Sequence, residues 1–283
     1  MNADLHCHSA FSDGTLEPEA LAARAKANGV ELWALTDHDE IGGQLRARNA
    51  ALAIGLPYLT GVEISVTFAD TTVHMVGLGF DADNAALAAG LAATSGGRKK
   101  RAMEMSDELA KVGIHGAYEG ALSYTGNPDL IARTHFARFL VANKVCSDTQ
   151  EVFRKFLVEG KPGFVPHRWA SLGDAVHWIT DAGGIAVIAH PARYKFTANE
   201  EYALFTEFIA HGGRAVEVVT GSHSSGDAVR YTETAIEFGL LASRGSDFHS
   251  PTESRIDLGT LPALSPRLTP VWDALESHIQ RPA

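Results

Sequence analysis

A chain of 283 residues is long enough for one large barrel-type domain with an insertion, and 45% hydrophobic with 20% charged residues is ordinary globular composition. The 24 Lys and Arg against 34 Asp and Glu leave a formal net charge of -10, which excludes the broad basic face that long nucleic acid needs but not a small phosphorylated ligand held locally. Two cysteines, Cys7 and Cys146, cannot form a disulfide framework, and no signal peptide or membrane-length apolar run is visible, so a cytoplasmic setting without membrane contact is expected.

The first expected strand is ADLHCHS. If Ala3 to Ser9 is extended, alternation sends Asp4, His6 and His8 to one face and Leu5 and Cys7 to the other, which makes half of a metal site and leaves Cys7 as a packing residue. Asp13 follows in the next turn. PEALAARAKANG has proline in its first turn and Asn-Gly at its end, the start and stop signals of a helix. ELWALTD is the second strand, and His38 follows it between Asp37 and Asp39. Asp37 either orients a ligand histidine or caps the next helix. YLTGVEIS carries Glu63 near its end, and VTFADTTVHMVG, with His74, reads as a hairpin turning at Asp70-Thr71.

Between Asn84 and Arg168 the rhythm changes to helical periods without a convincing strand, which predicts a helical insertion (84–168) at the mouth of a barrel formed by 1–83 and 169–283. The insertion contains the basic run Arg98, Lys99, Lys100 and Arg101, by composition a solvated helix face, and the segment RTHF with Arg133, Thr134 and His135. Beyond it come the strands GIAVIAH, AVEVVTG and LLASRGSDFH, separated by helical stretches such as SSGDAVRYTETAIEFG. About seven strand-helix units with apolar strands predict an α/β fold, a parallel sheet closed or nearly closed into a (β/α)7 barrel.

His6, His8, His38, Glu63, His74, His190, Asp247 and His249 all fall at or near strand ends, and a parallel barrel brings strand C-terminal ends to one face. Asp247 and His249 repeat, as D-x-H, the geometry of His6 and His8. With Asp13 these are nine imidazole and carboxylate donors without thiolate, a set suited to divalent Mn, Fe or Zn in open coordination. Nine donors exceed the needs of one ion, so two or three ions are expected, an arrangement that serves phosphate ester hydrolysis. Glu217 points either into the barrel mouth or into its wall. The remaining histidines, His115, His167, His177, His211, His223 and His278, fall outside this pattern.

DLHCHSAFSDG, LTDHD, GVEIS, the histidine of TVHMVG, AHP and SDFH, in that order, resemble the motifs of the PHP (polymerase and histidinol phosphatase) family along essentially the whole chain. RKKRAMEM, RTHFARFLV and GGIAVIAHPARY are similar to the bacterial branch that removes the 3'-phosphate from nucleoside 3',5'-bisphosphates, some members of which trim short RNA from its 5' end. The resemblance implies a distorted (β/α)7, TIM-like barrel and a metal-dependent phosphatase acting on a small nucleotide. It implies His6, His8, Glu63 and Asp247 around one ion, Glu63, His74 and His190 around a second with Glu63 bridging, and Asp13, His38 and His249 at a third position. Manganese is the expected metal, with Asp13 or His38 protonating the departing ribose oxygen. It also makes Lys99, Lys100, Arg101, Arg133, Thr134 and His135 candidate anchors for the second phosphate. Arg193 either contacts phosphate or forms a surface ion pair. The rival readings are a 5'-to-3' exoribonuclease on short RNA, a histidinol-phosphatase-like esterase, and a non-catalytic metal-loaded binding module.

Overall fold

The computed structural model describes residues 1–282. The chain begins β1 (Ala3–Asp4), α1 (Pro18–Ala27), β2 (Leu32–Leu35), α2 (Gln44–Ala53), β3 (Tyr58–Phe68) and β4 (Thr71–Leu78). A run of helices follows: α3 (Ala85–Ser95), α4 (Arg98–Ala110), α5 (Ala117–Leu122), α6 (Arg133–Ala142) and α7 (Thr149–Val152), the last running into a π-helical turn over Phe153–Leu157. The chain then returns through β5 (Ala170–Ser171), α8 (Leu172–Asp181), β6 (Ile185–Ile188), α9 (Ala198–Ala210), β7 (Ala215–Thr220), α10 (Ser225–Glu237), β8 (Leu241–Gly245) and α11 (Val271–Ala274). No helix among the described residues is long and apolar enough to cross a membrane.

The main sheet runs β1-β2-β3-β4-β6-β7-β8, with β5 paired to β3 off this path. Backbone bonds from Leu5 N to Arg244 O (3.1 Å), Asp247 N to His6 O (2.7 Å) and His8 N to Phe248 O (2.9 Å) join the last strand to the first segment. The fold is therefore α/β, a nearly closed seven-strand barrel. One strand, β4, is antiparallel to both β3 and β6, as the hairpin expected over 66–77 requires. The cause is local: Ala69 and Asp70, with φ of 45° and 58°, form a tight left-handed turn that reverses the chain with no room for a crossover helix. That turn lies one residue earlier than Asp70-Thr71.

The first strand is also shorter than Ala3 to Ser9. Its ladder covers Ala3 and Asp4, after which only Cys7 bridges, to Phe248. Alternation fails in the gap: Leu5 packs with Ala3 inside the barrel, while Cys7 packs outside with Trp33 and Leu35. Asp4 is consequently turned away from His6 and His8, and its carboxylate accepts hydrogen bonds from Ser246 N and Gly259 N, both at 2.8 Å.

The barrel interior is filled by small and branched residues from successive strands, among them Leu5, Ala34, Leu59, Val76, Val187 and Ala215, and is sealed at one end by Val271, Trp272 and Leu275. A larger cluster lies between the sheet and α8 to α10, and it includes Leu87 and Leu91 of α3. From Ala102 to Leu157 the helices gather a core of their own around Phe136 and Leu140. No strand occurs between 84 and 168.

Candidate metal centre and anion cavity

The polar side chains at the barrel mouth are carried by the turns just beyond the strands and by the β3-β4 hairpin, in which Glu63 and His74 lie within the strands themselves. Asp39, His190 and Asp247, just beyond β2, β6 and β8, adopt positive φ of 51°, 29° and 54°. Such backbone costs on the order of 1–3 kcal/mol per residue, and a core in which each buried Leu or Phe contributes about 1.5–3 kcal/mol can sustain it. The reward is orientation: the chain turns sharply and aims successive side chains at one point. Gly245 allows the last strand to approach, since a Cβ there would meet the His6 Cβ at 2.2 Å.

Glu63, fully buried, is the hub. Its Oε1 lies 2.8 Å from His74 Nδ1, 3.0 Å from His190 Nε2 and 3.3 Å from His6 Nε2, and its Oε2 lies 2.9 Å from His38 Nδ1 and 3.3 Å from His8 Nε2. Asp247 Oδ1 lies 3.2 Å from His8 Nε2 and 3.5 Å from His6 Nε2. Asp13 Oδ1 faces His249 Nε2 at 3.3 Å and His38 Nε2 at 3.9 Å. The structure thus brings all nine expected donors together in four overlapping groups: His6, His8 and Asp247; His6, Glu63 and His190; His38, Glu63 and His74; and His8, Asp13, His38 and His249. His8 and His38 each take part in two groups, so the division into three separate ligand sets is looser than the resemblance implies.

Several of these atoms lack what buried polar atoms normally have. His8 Nδ1, His38 Nδ1, Asp13 Oδ1 and Glu63 Oε2 are buried with no hydrogen-bond partner. His38 Nδ1 and Glu63 Oε2 are close yet not bonded, and the Nε2 atoms of His6 and His8 face each other at 3.2 Å. Lone pairs aimed at a shared space are costly unless a cation fills it, so the donor set fits divalent metal binding. Electrostatics agree for the carboxylates and for His190. Burial of His6 and His8, by contrast, is outweighed by the surrounding carboxylates, which push His6 well up and His8 up to about 10 and so supply protons that a bound ion would displace. Burial opposes the charge on Glu63, but His74, His38 and His6 hold its carboxyl well below the usual range, and Arg193 and His6 do the same for buried Asp247. Burial and Arg193 push His190 down to about 3, which leaves it the neutral imidazole a ligand must be.

The supporting residues resolve the alternatives left open. Glu217 faces the site: its Oε1 is 2.8 Å from His6 Nδ1 and its Oε2 accepts the His190 backbone N–H at 2.7 Å, which turns His6 Nε2 toward the cluster. Asp37 neither orients a ligand nor caps α2; it accepts from Ser9 N, Ser9 Oγ and Ser12 Oγ and so shapes the turn before Asp13. Tyr194, which the sequence reading passes over, accepts the His74 backbone N–H at 2.8 Å and donates to Ala189 O at 2.9 Å. Cys7 is packed, accepting from Trp33 Nε1 at 3.2 Å.

The cluster borders a cavity of about 170 Å³ that Arg98, Arg101 and Arg133 also line. Arg98 is buried and paired with Asp39, whose carboxylate also accepts from Ser65 N at 2.8 Å. Arg101 donates to Val165 O at 2.9 Å and Arg133 to Leu157 O at 3.3 Å, and neither has a carboxylate within salt-bridge distance among the described residues. Burial, with Arg133 and Arg98 beside it, pushes Arg101 down to about 9. Thr134 lines the same cavity and donates to Asp13 Oδ2 at 2.8 Å. Arg193 pairs with Asp247 at the mouth.

Three expected anchors are not there. Lys99 and Lys100 are exposed, because residues 98 and 101 share the cavity face of α4 and the two between point outward; Lys100 reaches only Glu104, at 3.9 Å. His135 is buried away from the cavity, where its Nδ1 accepts the Ala132 backbone N–H at 2.9 Å and caps α6. Asp39, as the partner of Arg98, and Trp169 are the contributors that sequence reasoning missed. The i, i+3 spacing of Arg98 and Arg101 was the signal that could have picked these two out of the basic run. A second cavity of about 660 Å³ adjoins the first, shares Thr134, Phe153, Arg193, Asp247 and His249 with it, and is otherwise lined largely by hydroxyls such as Ser222, Ser224 and Ser254.

Comparison with known proteins places this geometry in context. Residues 4–159 match the model of the PHP domain. The chain is 49% identical, over 100% of its length and 99% of the relative's, to a 3',5'-nucleoside bisphosphate phosphatase of Chromobacterium violaceum. It is 40% identical to a 5'-3' exoribonuclease of Haemophilus influenzae, covering 95% of this chain and 97% of the other. Among solved structures, a protein described as an amidohydrolase from Chromobacterium violaceum superposes with a TM-score of 0.97 at 49% identity, over 100% of this chain and 99% of that one.

Proposed function

The chain belongs to the PHP-domain family, and from that premise we propose that it is a metal-dependent phosphatase that removes the 3'-phosphate of nucleoside 3',5'-bisphosphates, such as adenosine 3',5'-bisphosphate, to give the nucleoside 5'-monophosphate and phosphate. One observation carries the reading: a single cavity is lined both by unsatisfied imidazole and carboxylate donors and by two guanidinium groups without carboxylate partners among the described residues. A substrate with two phosphates matches both sets at once.

The nine donors would hold two or three divalent ions, with Glu63 bridging and manganese the metal of choice for this mixed nitrogen and oxygen set. When bound, such ions polarise phosphoryl oxygens and acidify water for in-line attack. The protein's own part is positional. Arg101 and Arg133, with Arg98 behind them, hold the 5'-phosphate, and this remote binding energy fixes the 3'-phosphate against the cluster. Where two ions are held by the other donors, Asp13 or His38, whose Oδ1 and Nε2 lie 3.9 Å apart on the cavity wall, is left to protonate the departing ribose oxygen.

The second cavity favours short RNA as a further substrate. The bond broken is the same, between phosphorus and the ribose 3'-oxygen, whether phosphorus carries only oxygens or the next nucleoside. The adjoining space of about 660 Å³ would receive that nucleoside.

The test is a substrate panel with metal-loaded enzyme: adenosine 3',5'-bisphosphate, 3'-AMP and a 5'-phosphorylated dinucleotide. Turnover is expected to be highest on the bisphosphate, to vanish on chelation and to return with Mn²⁺. Equal kcat/KM on 3'-AMP and the bisphosphate would remove the anchor from the reading, and activity surviving exhaustive metal removal would remove the metals.

A further inference from the structure

We propose that Trp169 sets the selectivity for doubly phosphorylated substrates by holding Arg98 and Arg101 at the anion end of the cavity, an inference that rests on the bisphosphate reading above. Arg98 and Arg101 bring two like charges to one buried place, and only Arg98 has a carboxylate, Asp39, to hold it. Arg101 would relieve the repulsion by swinging away. Its one hydrogen bond, to Val165 O, is to an irregular segment that returns from the helices to the barrel.

The indole supplies what is missing. The Trp169 ring centroid lies 4.8 Å from Arg98 Cζ and 5.4 Å from Arg101 Cζ, so one indole attracts both cations without neutralising either. A carboxylate in that place would cancel the charge the phosphate needs. The ring is itself fixed. Trp169 Nε1 donates to Thr72 Oγ1 at 3.1 Å and its backbone N to Thr67 Oγ1 at 2.8 Å, which fastens it to the β3-β4 hairpin that also carries Glu63 and His74. The His167 ring packs against it at 4.2 Å, edge on. Close approach of this segment to α4 needs Gly97, where a Cβ would fall 2.3 Å from His167 Cε1. One residue therefore ties the arginine wall to the hairpin that presents metal-site donors. Trp169 is a positioning residue, since it acts through the arginines.

The readout is the ratio of kcat/KM on adenosine 3',5'-bisphosphate to that on 3'-AMP, with thermal unfolding and bound metal measured in parallel. Trp169→Leu keeps an apolar side chain and loses the π-face, and should lower the ratio about tenfold, mainly through KM on the bisphosphate. Trp169→Phe keeps a π-face and should stay within about threefold of wild type. If Trp169→Leu does not fold, Thr72→Val, which removes the acceptor of the indole N–H at nearly constant volume, should lower the ratio by about threefold. A wild-type ratio in Trp169→Leu, or an equal fall in Trp169→Phe and Trp169→Leu, or an unaltered ratio in Thr72→Val where that variant is needed, overturns the role of the indole. A ratio near one in the wild-type enzyme instead overturns the bisphosphate reading, and this inference with it.

Discussion

On one wall of the cavity Glu63 alone lies within 3.3 Å of five imidazoles, delivered by four segments of chain at the barrel mouth and fixed by backbone register. On the other wall three arginines come from α4 and α6, held by backbone carbonyls, one carboxylate and an indole. The first wall gathers opposite charges and needs a cation to satisfy what remains unpaired. The second gathers like charges and needs an anion. Charge at the first wall is tied into the sheet; at the second it is carried on long side chains that helix packing must aim. Damage to the first should therefore abolish the chemistry, whereas damage to the second should change which substrate is preferred.

Glu63→Gln gives the largest effect. The change keeps shape but removes the negative charge that faces both sides of the cluster, and turnover should fall by well over the roughly 10–100-fold typical of losing an outer partner of a ligand. Metal content measured on the purified variant should fall with it, while the thermal transition persists. Near-normal turnover with full metal content would break the assignment of Glu63 as the bridge. Arg133→Ala comes next. One charge-assisted hydrogen bond is worth roughly 1.5–3 kcal/mol, so kcat/KM on the bisphosphate should drop by about one to two orders of magnitude, and by less on 3'-AMP. Equal losses on the two substrates would erase the contrast between the walls.

The two walls also differed in how far the sequence could disclose them. The metal-site donors are legible because strand ends are marked by apolar runs and the C-terminal ends of parallel barrel strands converge, so His38 and His190 need no tertiary detail to be grouped, and His74 needs only the hairpin that reverses β4. Asp4 shows the limit. Strict alternation would have included it, but the ladder breaks after it and turns its carboxylate to Ser246 and Gly259. The antiparallel β4, by contrast, was legible as the second arm of a hairpin, and only its turn, at Ala69 and Asp70, lies one residue earlier than expected. The arginine wall depends on the phase of α4 against a segment some sixty residues away, as the Arg101 bond to Val165 shows. A run of four basic residues cannot say which two face inward. His135 looked like an anchor because it adjoins two residues that do line the cavity, yet its ring closes the first turn of its own helix.

The smallest effect belongs to the outward pair of that run and tests the phase of α4 most directly. Lys99 and Lys100 are exposed, and Lys100 stays 85% accessible with only a 3.9 Å approach to Glu104. Charges so placed act on a ligand in the cavity only through solvent, where at 0.1 M salt interactions fade beyond a screening length of about 10 Å. Lys99→Ala and Lys100→Ala should therefore change kcat/KM on the bisphosphate by less than about twofold at physiological salt. A modest loss at low ionic strength that disappears as salt is added fits long-range steering of an anionic substrate by exposed charge. Arg101→Ala, one residue further along the chain, should keep its deficit at every salt concentration, because its guanidinium lies on the cavity wall. A salt-independent tenfold loss in either lysine variant would mean that α4 presents a different face to the substrate than the one seen here.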